Sequence, residues 1–248
     1  MKTSNHLLRR LTAALLAAVL ALSIALPVFA SDDGDTIYIN SVSDLLSLAR
    51  SCAYDQWSVG KTVILQKDLS LEGMLWEPIP SFSGQFKGNG HTISDLTITG
   101  QYSPAGLFGI VEEQGSIESL SVRGVVSVSD SADTTTGGIV GINHGTLINC
   151  QFTGVVTGDS EVGGIVGRNE SEGTIDHSTA RAIVTGKSST GGIAGYNLGA
   201  ITGCTNVGSI NTEYPEASLD TDGFTAKMVD YINNKMAAAA DDATNSVT

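Results

Sequence analysis

Gly163-Gly164-Ile165-Val166-Gly167 is a short apolar block bracketed by glycines, and the chain of 248 residues carries four blocks of this kind. The other three are Ala105-Gly106-Leu107-Phe108-Gly109, Gly137-Gly138-Ile139-Val140-Gly141 and Gly191-Gly192-Ile193-Ala194-Gly195. Their first residues lie 32, 26 and 28 positions apart. Self-similarity at a period of about 20–50 residues is typical of stacked repeat proteins. The blocks therefore predict a solenoid.

The repeats align on the glycine that follows each block, at positions 115, 145, 173 and 199. Two apolar columns then appear at fixed offsets from that glycine: Ile117, Leu147, Ile175 and Ile201, and Val126, Val156, Val184 and Ile210. Apolar residues at fixed offsets, separated by glycine and polar residues, predict about three short strands per repeat. Such a repeat is one coil of a parallel β-helix, so the fold class is all-β.

The pattern Gly-Gly-Ile-Val-Gly-x-Asn, followed by Gly-x-Ile/Leu-x-x-Cys, resembles the GLUG-motif repeats of bacterial secreted and surface proteins. The segment 86–93 together with Gly106-Leu107-Phe108-Gly109 is similar to the part that precedes such repeats. This resemblance covers roughly residues 62–211. It implies a right-handed parallel β-helix, an extracellular or cell-surface setting and an adhesin-like role. GLUG repeats also accompany the protease domain of some immunoglobulin-cleaving enzymes, but the motif itself carries no catalytic residues.

The first thirty residues are predicted to be a secretory signal peptide. Lys2, Arg9 and Arg10 give a basic start, an apolar run spans 11–26, and the segment ends at Ala30. An uncleaved membrane anchor is the alternative. No cysteine directly follows the expected cut, which argues against a lipoprotein anchor. After the signal no further apolar span of about twenty residues occurs, so we expect no transmembrane segment.

Helices are predicted at both ends of the solenoid. Ser41 and Asp44 form a capping box before a helix at 45–52, which we expect to close the N-terminal end. Apolar residues at helical spacing predict a second helix at 224–236. The chain is thus divided into a signal peptide (1–30), a leader with the N-terminal cap (31–61), the parallel β-helix with GLUG-like repeats (62–213), a C-terminal helical segment (214–236) and a disordered tail (237–248).

The charge of the chain restricts its partners. The formal net charge is −13, and removal of the signal peptide with its three basic residues makes it −16. An acidic surface repels phosphate groups, so nucleic acid and anionic membranes are poor partners. We expect a glycan or a host or cell-surface protein instead.

One polar column and a set of glycines recur with the blocks. Asn143, Asn169 and Asn197 each lie six residues after the start of a block, where stacked coils would bring their amides together. A structural ladder is the favoured interpretation, and a polar stripe that contacts a ligand is the alternative. The repeat glycines are interpreted as structural: Gly109, Gly138, Gly141, Gly164, Gly167, Gly192 and Gly195.

The cysteines and histidines predict neither a disulfide framework nor a metal site. Cys150 and Cys204 share one offset with Ser178 between them, which places them two coils and about 9–10 Å apart, too far for a bridge. Together with Cys52 they are interpreted as small buried fillers. The histidines follow no zinc-binding spacing; His144 and His177 are expected to be solvent-exposed. The segment 220–223 suits a helix cap better than a calcium loop, because Val229 stands where the bidentate glutamate belongs.

No catalytic residues and no cofactor are predicted. The acidic residues of the repeats share no offset that would build a pair of facing carboxylates, and Arg123, Arg168 and Arg181 are interpreted as isolated. The acids in question are Glu112, Glu113, Glu118, Asp159, Glu161, Glu170, Glu172 and Asp176. The predicted function is a secreted, non-catalytic interaction module. A carbohydrate-active β-helix enzyme (a polysaccharide lyase or glycosidase) is one alternative, and a truncated piece of a larger adhesin or protease is another.

Overall fold

A computed structural model describes residues 35–54, 56–128 and 134–211. The predicted signal peptide, the C-terminal helical segment, the tail and the segment 220–223 lie outside these residues. The described part consists of one α-helix and 22 short strands. Strands pair in parallel with those of the preceding and following coils, which confirms the predicted parallel β-helix.

Four parallel sheets run along the solenoid, with strands numbered along the chain. Sheet A contains β1 (Thr36–Ile39), β2 (Thr62–Leu65), β5 (Gln85–Lys87), β8 (Ser116–Glu118), β12 (Thr146–Ile148), β16 (Thr174–Asp176) and β20 (Ala200–Thr202). Sheet B contains β3 (Leu69–Ser70), β6 (Thr92–Gly100), β9 (Ser121–Val128), β13 (Gln151–Thr157), β17 (Thr179–Thr185), β21 (Thr205–Asn206) and β22 (Ser209–Ile210). Sheet C contains β4 (Ile79–Phe82), β7 (Phe108–Val111), β11 (Val140–Asn143), β15 (Val166–Asn169) and β19 (Ala194–Asn197). Sheet D contains β10 (Thr135–Gly137), β14 (Glu161–Gly163) and β18 (Thr190–Gly191).

The strand register reproduces the columns predicted from the sequence. Leu147 pairs with Ile117 on one side and with Ile175 on the other, and Val156 pairs with Val126 in the same way. All five side chains are fully buried. Because successive residues of a strand point to opposite faces, each buried column alternates with a column on the outside. The core is therefore a narrow channel filled by one side chain per strand position and coil.

Three of the four glycine blocks, those that begin at Gly137, Gly163 and Gly191, have an additional strand, so the prediction of about three strands per repeat was wrong for their coils. At the first block, Ala105 forms only an isolated bridge to Thr136. The additional strand belongs to sheet D and ends on the first glycine of its block. It packs closely on sheet C, because a Cβ atom added to Gly167 would lie 2.6 Å from the backbone nitrogen of Thr136. A glycine at this position is what lets the fourth strand approach the third.

A helix covers the N-terminal end of the solenoid, as predicted. This helix, α1 (Val42–Ser51), contacts β1 and β4 and buries Leu45 and Leu48. Its N-cap Ser41 accepts from the amide of Asp44, whose carboxylate accepts from the amide of Asn40 at 2.9 Å. The helix begins three residues earlier than predicted because the cap residue Ser41 directly precedes its first turn.

The two halves of the core are filled differently. Early coils use aromatic side chains: Phe82, Phe86 and Phe108 pack with ring centroids 5.4–6.3 Å apart. Burying each of these rings contributes roughly 2–3 kcal/mol. Later coils use mainly Val, Ile and Ala with buried asparagines, although the fully buried Phe152 adds an aromatic side chain to the coil of Asn143.

The last coil, residues 190–211, contains no buried residue. Ile201 and Ile210 continue the two buried columns but are 38% and 39% exposed, because no further described coil covers them. We call this coil the terminal coil. Within the described ranges, no helix has the length and apolar character that crossing a bilayer requires.

Candidate functional site

The three predicted asparagines form an amide ladder inside the solenoid. The Nδ2 atom of Asn143 donates to Oδ1 of Asn169 at 2.8 Å, and Nδ2 of Asn169 donates to Oδ1 of Asn197 at 2.8 Å. Each Nδ2 also donates to a backbone carbonyl of the following turn, at Gly145, Gly173 or Gly199. Asn143 and Asn169 are fully buried, so a ligand on the surface cannot reach them.

The ladder has a defined beginning. The register neighbour of Asn143 on the preceding coil is Val111, which carries no hydrogen-bonding group. The Oδ1 atom of Asn143 is consequently buried without a partner within the described residues. This position marks the boundary between the aromatic coils and the asparagine coils.

The repeat glycines lie where backbone segments of neighbouring strands or coils meet. A Cβ atom at Gly109 would lie 3.1 Å from the carbonyl oxygen of Pro80, and one at Gly164 would lie 2.9 Å from Cβ of Ala180. The other members of the set meet equally close atoms: Gly138, Gly141, Gly167, Gly192 and Gly195. At these positions the absence of a side chain lets neighbouring strands and coils pack closely, and the glycines present no surface to a ligand.

The cysteine column is stacked as its offset predicts. The amide of Cys150 donates to Oγ of Ser178, and the amide of Ser178 lies 3.4 Å from Sγ of Cys204. All three cysteines of the chain are free thiols. Burial raises the pKa of Cys150 to about 12 and that of Cys52 to about 11. Cys204 lies on the terminal coil and is partly exposed, so the prediction of a buried filler was wrong for it.

The histidines lie apart from one another and pair with single aspartates. Nδ1 of His91 lies 3.2 Å from Asp68, and Nδ1 of the exposed His177 lies 2.8 Å from Asp176. His144 is half-buried rather than exposed as predicted. Across residues 35–54, 56–128 and 134–211, no group of three or more His, Cys, Asp or Glu side chains could hold a metal ion.

Arg168 is part of an ionic cluster on the outside of sheet C, and its interpretation as isolated was wrong. Its Nε donates to Oε2 of Glu161 at 2.7 Å, its Nη2 binds the other carboxylate oxygen, and Nη1 lies 3.5 Å from Glu170. The guanidinium also lies over the ring of Tyr196, 5.3 Å from its centroid. The hydrogen bonds to Glu161 raise the pKa of Arg168.

The same cluster ties two sheets together. Oε2 of Glu161 also accepts a hydrogen bond from Oγ1 of Thr135 at 3.0 Å, so this carboxylate on sheet D joins two coils and the neighbouring sheet C. Both of its oxygens are engaged, and Glu170 contacts the same guanidinium. A carboxylate held in this way is poorly placed to act as a general acid or base.

Sheet B offers the widest outer face, since its central strands β9 and β13 span eight and seven residues. Two hydroxyl- and amide-bearing columns run along this face, one through Thr92, Ser121, Gln151, Thr179 and Thr205 and one through Thr99, Ser127, Thr157 and Thr185. An aliphatic column of Val125, Val155 and Ile183 lies between them. Val155 is only 2% exposed, so the accessible apolar part of this face consists of the partly exposed Val125 and Ile183 beside the hydrogen-bonding columns.

A further outward column of sheet B carries two arginines. Thr153 pairs in register with Arg123 on one neighbouring strand and with Arg181 on the other. We call these three residues the arginine row. Coils stack at about 4.8 Å, so the two guanidinium-bearing residues are about 10 Å apart on the same face. They share an offset of eight from Gly115 and Gly173, so the sequence already contains the regularity that places them in one column.

The arginines of this row are exposed, and among the described residues neither forms an ion pair. The nearest influence is on Asp95, whose pKa is lowered by hydrogen bonds from Ser70 and Ser94 and, less strongly, by the charge of Arg123. Two unpaired cations thus face solvent on a chain whose net charge is −13. This arrangement can bind an anion without first breaking an internal salt bridge.

The protein-family model described as "The GLUG motif" matches residues 158–185, which include β14 to β17. Together with the parallel solenoid, this match confirms the predicted resemblance to GLUG-repeat β-helix proteins. The matched segment contains Arg168 and Arg181, but the match assigns no function to either residue.

Two curated proteins are similar to this chain. Halomucin of Haloquadratum walsbyi is 32% identical over 155 residues, which cover 57% of this chain and 2% of halomucin. A protein assigned as a Gly-rich membrane protein of Evansella cellulosilytica is 30% identical over 137 residues, which cover 40% of this chain and 16% of that protein. The chain therefore spans only a small fraction of the length of either relative.

One solved structure is also similar. It is the crystal structure of a protein assigned as an immunoglobulin A1 protease from Bacteroides ovatus, with a TM-score of 0.45 and 16% sequence identity. The alignment covers 75% of this chain and 80% of the other.

Proposed function

We propose that this GLUG-repeat parallel β-helix is a secreted, non-catalytic surface module that binds an extended anionic glycan on the outer face of sheet B. The observation that carries the proposal is the arginine row, in which Arg123 and Arg181 flank Thr153 without ion-pair partners among the described residues. An adhesin-like role follows if that glycan belongs to another cell or to a shared matrix.

The geometry of the face suits a polymer better than a small ligand. The arginines lie about 10 Å apart along the solenoid axis, so a chain that carries anionic groups at intervals can contact both. The hydroxyl and amide columns beside them can exchange hydrogen bonds with sugar hydroxyls over several coils. Val125 and Ile183, the partly exposed members of the aliphatic column, can support the apolar face of a sugar ring, whereas Val155 between them is buried.

Sheet A is a less suitable face for an anion. Its hydroxyl column, which includes Thr62, Ser116 and Thr146, stands beside a column of mixed sign in which Lys87 pairs in register with Glu118. Opposite charges on adjacent coils largely cancel at the distance of a ligand. Among the described faces, only sheet B carries two unpaired arginines in one column.

A surface location is supported by the predicted signal peptide and by the names of the two relatives, a halomucin and a protein assigned as a membrane protein. A non-catalytic role is supported by the engagement of Glu161 and Glu170 with Arg168. Such a module could equally function as a part of a longer surface protein.

Binding of the full chain to polygalacturonate, with dextran as the neutral probe, tests this function at low and high ionic strength. The double variant Arg123→Gln/Arg181→Gln should bind polygalacturonate roughly tenfold more weakly, as expected for the loss of two exposed ionic contacts. The matched control is Arg50→Gln/Lys67→Gln, which removes the same charge from two exposed positions elsewhere and should bind like the wild type.

Four results would contradict the proposal. If both double variants bind polygalacturonate with the same affinity, the arginine row does not contribute to binding. If the wild type binds dextran as tightly as polygalacturonate, binding does not require an anionic glycan. Release of unsaturated sugars from polygalacturonate would show lyase activity and exclude a non-catalytic role. Binding of an acidic peptide in place of any anionic glycan would assign the face to a protein partner.

A further inference from the structure

The C-terminal end of the solenoid exposes the interior of the fold. Ile175 and Val184 are fully buried, whereas Ile201 and Ile210, the next members of the same columns, are more than one-third exposed. Leu198 and Val207 of the terminal coil are 54% and 53% exposed. Ile201 and Ile210 form the exposed end of the core. Leu198 and Val207 follow Asn197 and Asn206 at the offsets of Glu170 and Arg181, so they add apolar side chains on the outside of the same coil.

The composition of the terminal coil does not suit an open end. Residues 190–211 contain no Asp, Glu, Lys or Arg, whereas the preceding coil has Glu161, Arg168, Glu170, Asp176 and Arg181 among others. Proteins protect exposed strand edges with charged residues, because an uncharged edge pairs readily with other chains. Because the terminal coil has no charged side chain, we expect another part of the protein to cover it.

The asparagine ladder ends in an incomplete state at the same place. Asn143 and Asn169 each donate to two acceptors, a carbonyl and the next asparagine. Asn197 donates to the carbonyl of Gly199 alone within the described residues. Its remaining N–H is available to a group that covers the terminal coil.

The opposite end of the solenoid shows how this fold closes its core. There α1 lies over β1 and β4 and buries Leu45 and Leu48, while Ile39 beneath it is fully buried. A single amphipathic helix of ten residues is enough to cover that end. An equivalent element at the C-terminal end would solve the same problem.

We propose that the chain's own segment 212–236 covers the terminal coil, with residues 224–236 as a capping helix. The segment follows directly on Asn211, the last described residue, so its concentration at the open end is high. In a helix, Phe224, Met228, Ile232 and Met236 recur every four residues and form one apolar stripe that complements the apolar end of the core.

A second copy of the chain is the competing occupant of this surface. Its approach is opposed by the net charge of −13 on each molecule and requires two chains to meet. The attached segment has neither disadvantage. We therefore expect a monomer in which the terminal coil is closed from within the same chain.

Cys204 provides a site-specific measurement in the full chain. It occupies the same column as Cys150, but it is partly exposed because its coil is the last one described. Maleimide labelling, followed by peptide mass spectrometry, should show Cys204 protected in the wild type. The double variant Met228→Asp/Ile232→Asp should label at Cys204 roughly tenfold faster or more, because labelling follows the opening of the cap.

The matched control is Asn233→Asp/Asn234→Asp, which adds the same charge on the opposite side of the helix and should label like the wild type. Labelling of Cys150 reports unfolding of the whole stack; if it appears, Met228→Ala/Ile232→Ala replaces the first variant. Equal rates for the wild type and the apolar-face variant would overturn the proposal. Protection that rises with protein concentration, together with a dimer mass in sedimentation, would assign the surface to a second copy and also overturn it.

Discussion

Asn143 and Asn169 lie on successive coils, and the side-chain amide of the first donates to that of the second at 2.8 Å in the buried channel. The two residues are not equivalent, however. Asn169 has asparagine neighbours on both coils, whereas Asn143 has Val111 on one side and a carbonyl oxygen without a partner. This asymmetry leads to a prediction about stability.

Asn169→Val should lower the free energy of unfolding by about 3 kcal/mol, because it removes the three hydrogen bonds that this buried side chain forms with Asn143, Gly173 and Asn197. Asn143→Val should cost only about 1–2 kcal/mol, since it removes two hydrogen bonds and the oxygen of Asn169 that it leaves without a donor is offset by the unsatisfied oxygen of Asn143 that it removes. Urea denaturation of both variants measures the two values. A larger loss for Asn143→Val would contradict the described direction of the ladder.

Gly167→Ala tests the close approach of sheets C and D. The new Cβ atom would lie 2.6 Å from the backbone nitrogen of Thr136, so the strands must separate at a cost of about 3 kcal/mol or more. Gly90→Ala is the control: its φ is +78° with open space around it, so only backbone strain of about 1 kcal/mol applies. Thermal or urea unfolding should rank the variants in that order, and the reverse order would argue against the fourth strand.

The capping box of α1 should make stability depend on pH at acidic values. Hydrogen bonds from the Asn40 amide and the Ser41 side chain lower the pKa of Asp44 below its ordinary value of 3.8. A lowered pKa in the folded state means that the carboxylate stabilises the protein fully above pH 3.8, and that this contribution disappears as the pH falls through the lowered pKa.

Asp44→Asn should therefore be less stable than the wild type by about 0.5 kcal/mol near neutral pH, and the difference should vanish on strong acidification. Unfolding curves recorded over the acidic range measure this. Glu113→Gln, at an exposed acid away from the helix, should leave the difference from the wild type independent of pH. A difference between Asp44→Asn and the wild type that persists at low pH would exclude the charge as its cause.

The contact between Arg168 and Glu161 should contribute more than other ion pairs of this surface. A double-mutant cycle with Arg168→Gln and Glu161→Gln should give a coupling energy of about 1 kcal/mol, because Glu161 is mostly buried while Arg168 is partly exposed to solvent. The pair of Lys187 and Asp159 is the comparison; with Lys187 79% exposed, its coupling should be below about 0.5 kcal/mol. Equal coupling energies for the two pairs would show that burial of Glu161 between two sheets does not strengthen its ion pair with Arg168.

The buried columns of the solenoid could be predicted from the sequence because they depend on one physical rule. Leu147 and Ile175 share an offset from a glycine, and equal offsets on stacked coils place side chains above one another. The same reasoning located the cysteine column and placed the asparagines one above another. It also identified Ser41 as a helix cap, although the helix was predicted to begin at Leu45 rather than at Val42.

The contacts of the surface arginines could not be predicted in the same way, because their partners are not their neighbours along the chain. Arg168 contacts Glu161 seven residues earlier and Tyr196 on the next coil. Arg123 and Arg181 share one column, two coils apart, only because the coils stack. The fourth strand was missed for a related reason. A strand of two or three residues has too few positions to show a period, and its existence depends on space that glycine leaves on another strand.

The parallel stacking has a mechanical consequence. The hydrogen bonds between coils run along the axis of the solenoid, so a load applied between its two ends pulls directly on them. We expect the coils to peel off one at a time, beginning at the terminal coil, which has no buried residue to hold it. Each coil of 26 or 28 residues that opens lengthens the tether by up to about 90 Å. Such a module would lengthen stepwise under sudden tension and so limit the force on its attachments, while the coils near α1 stay folded.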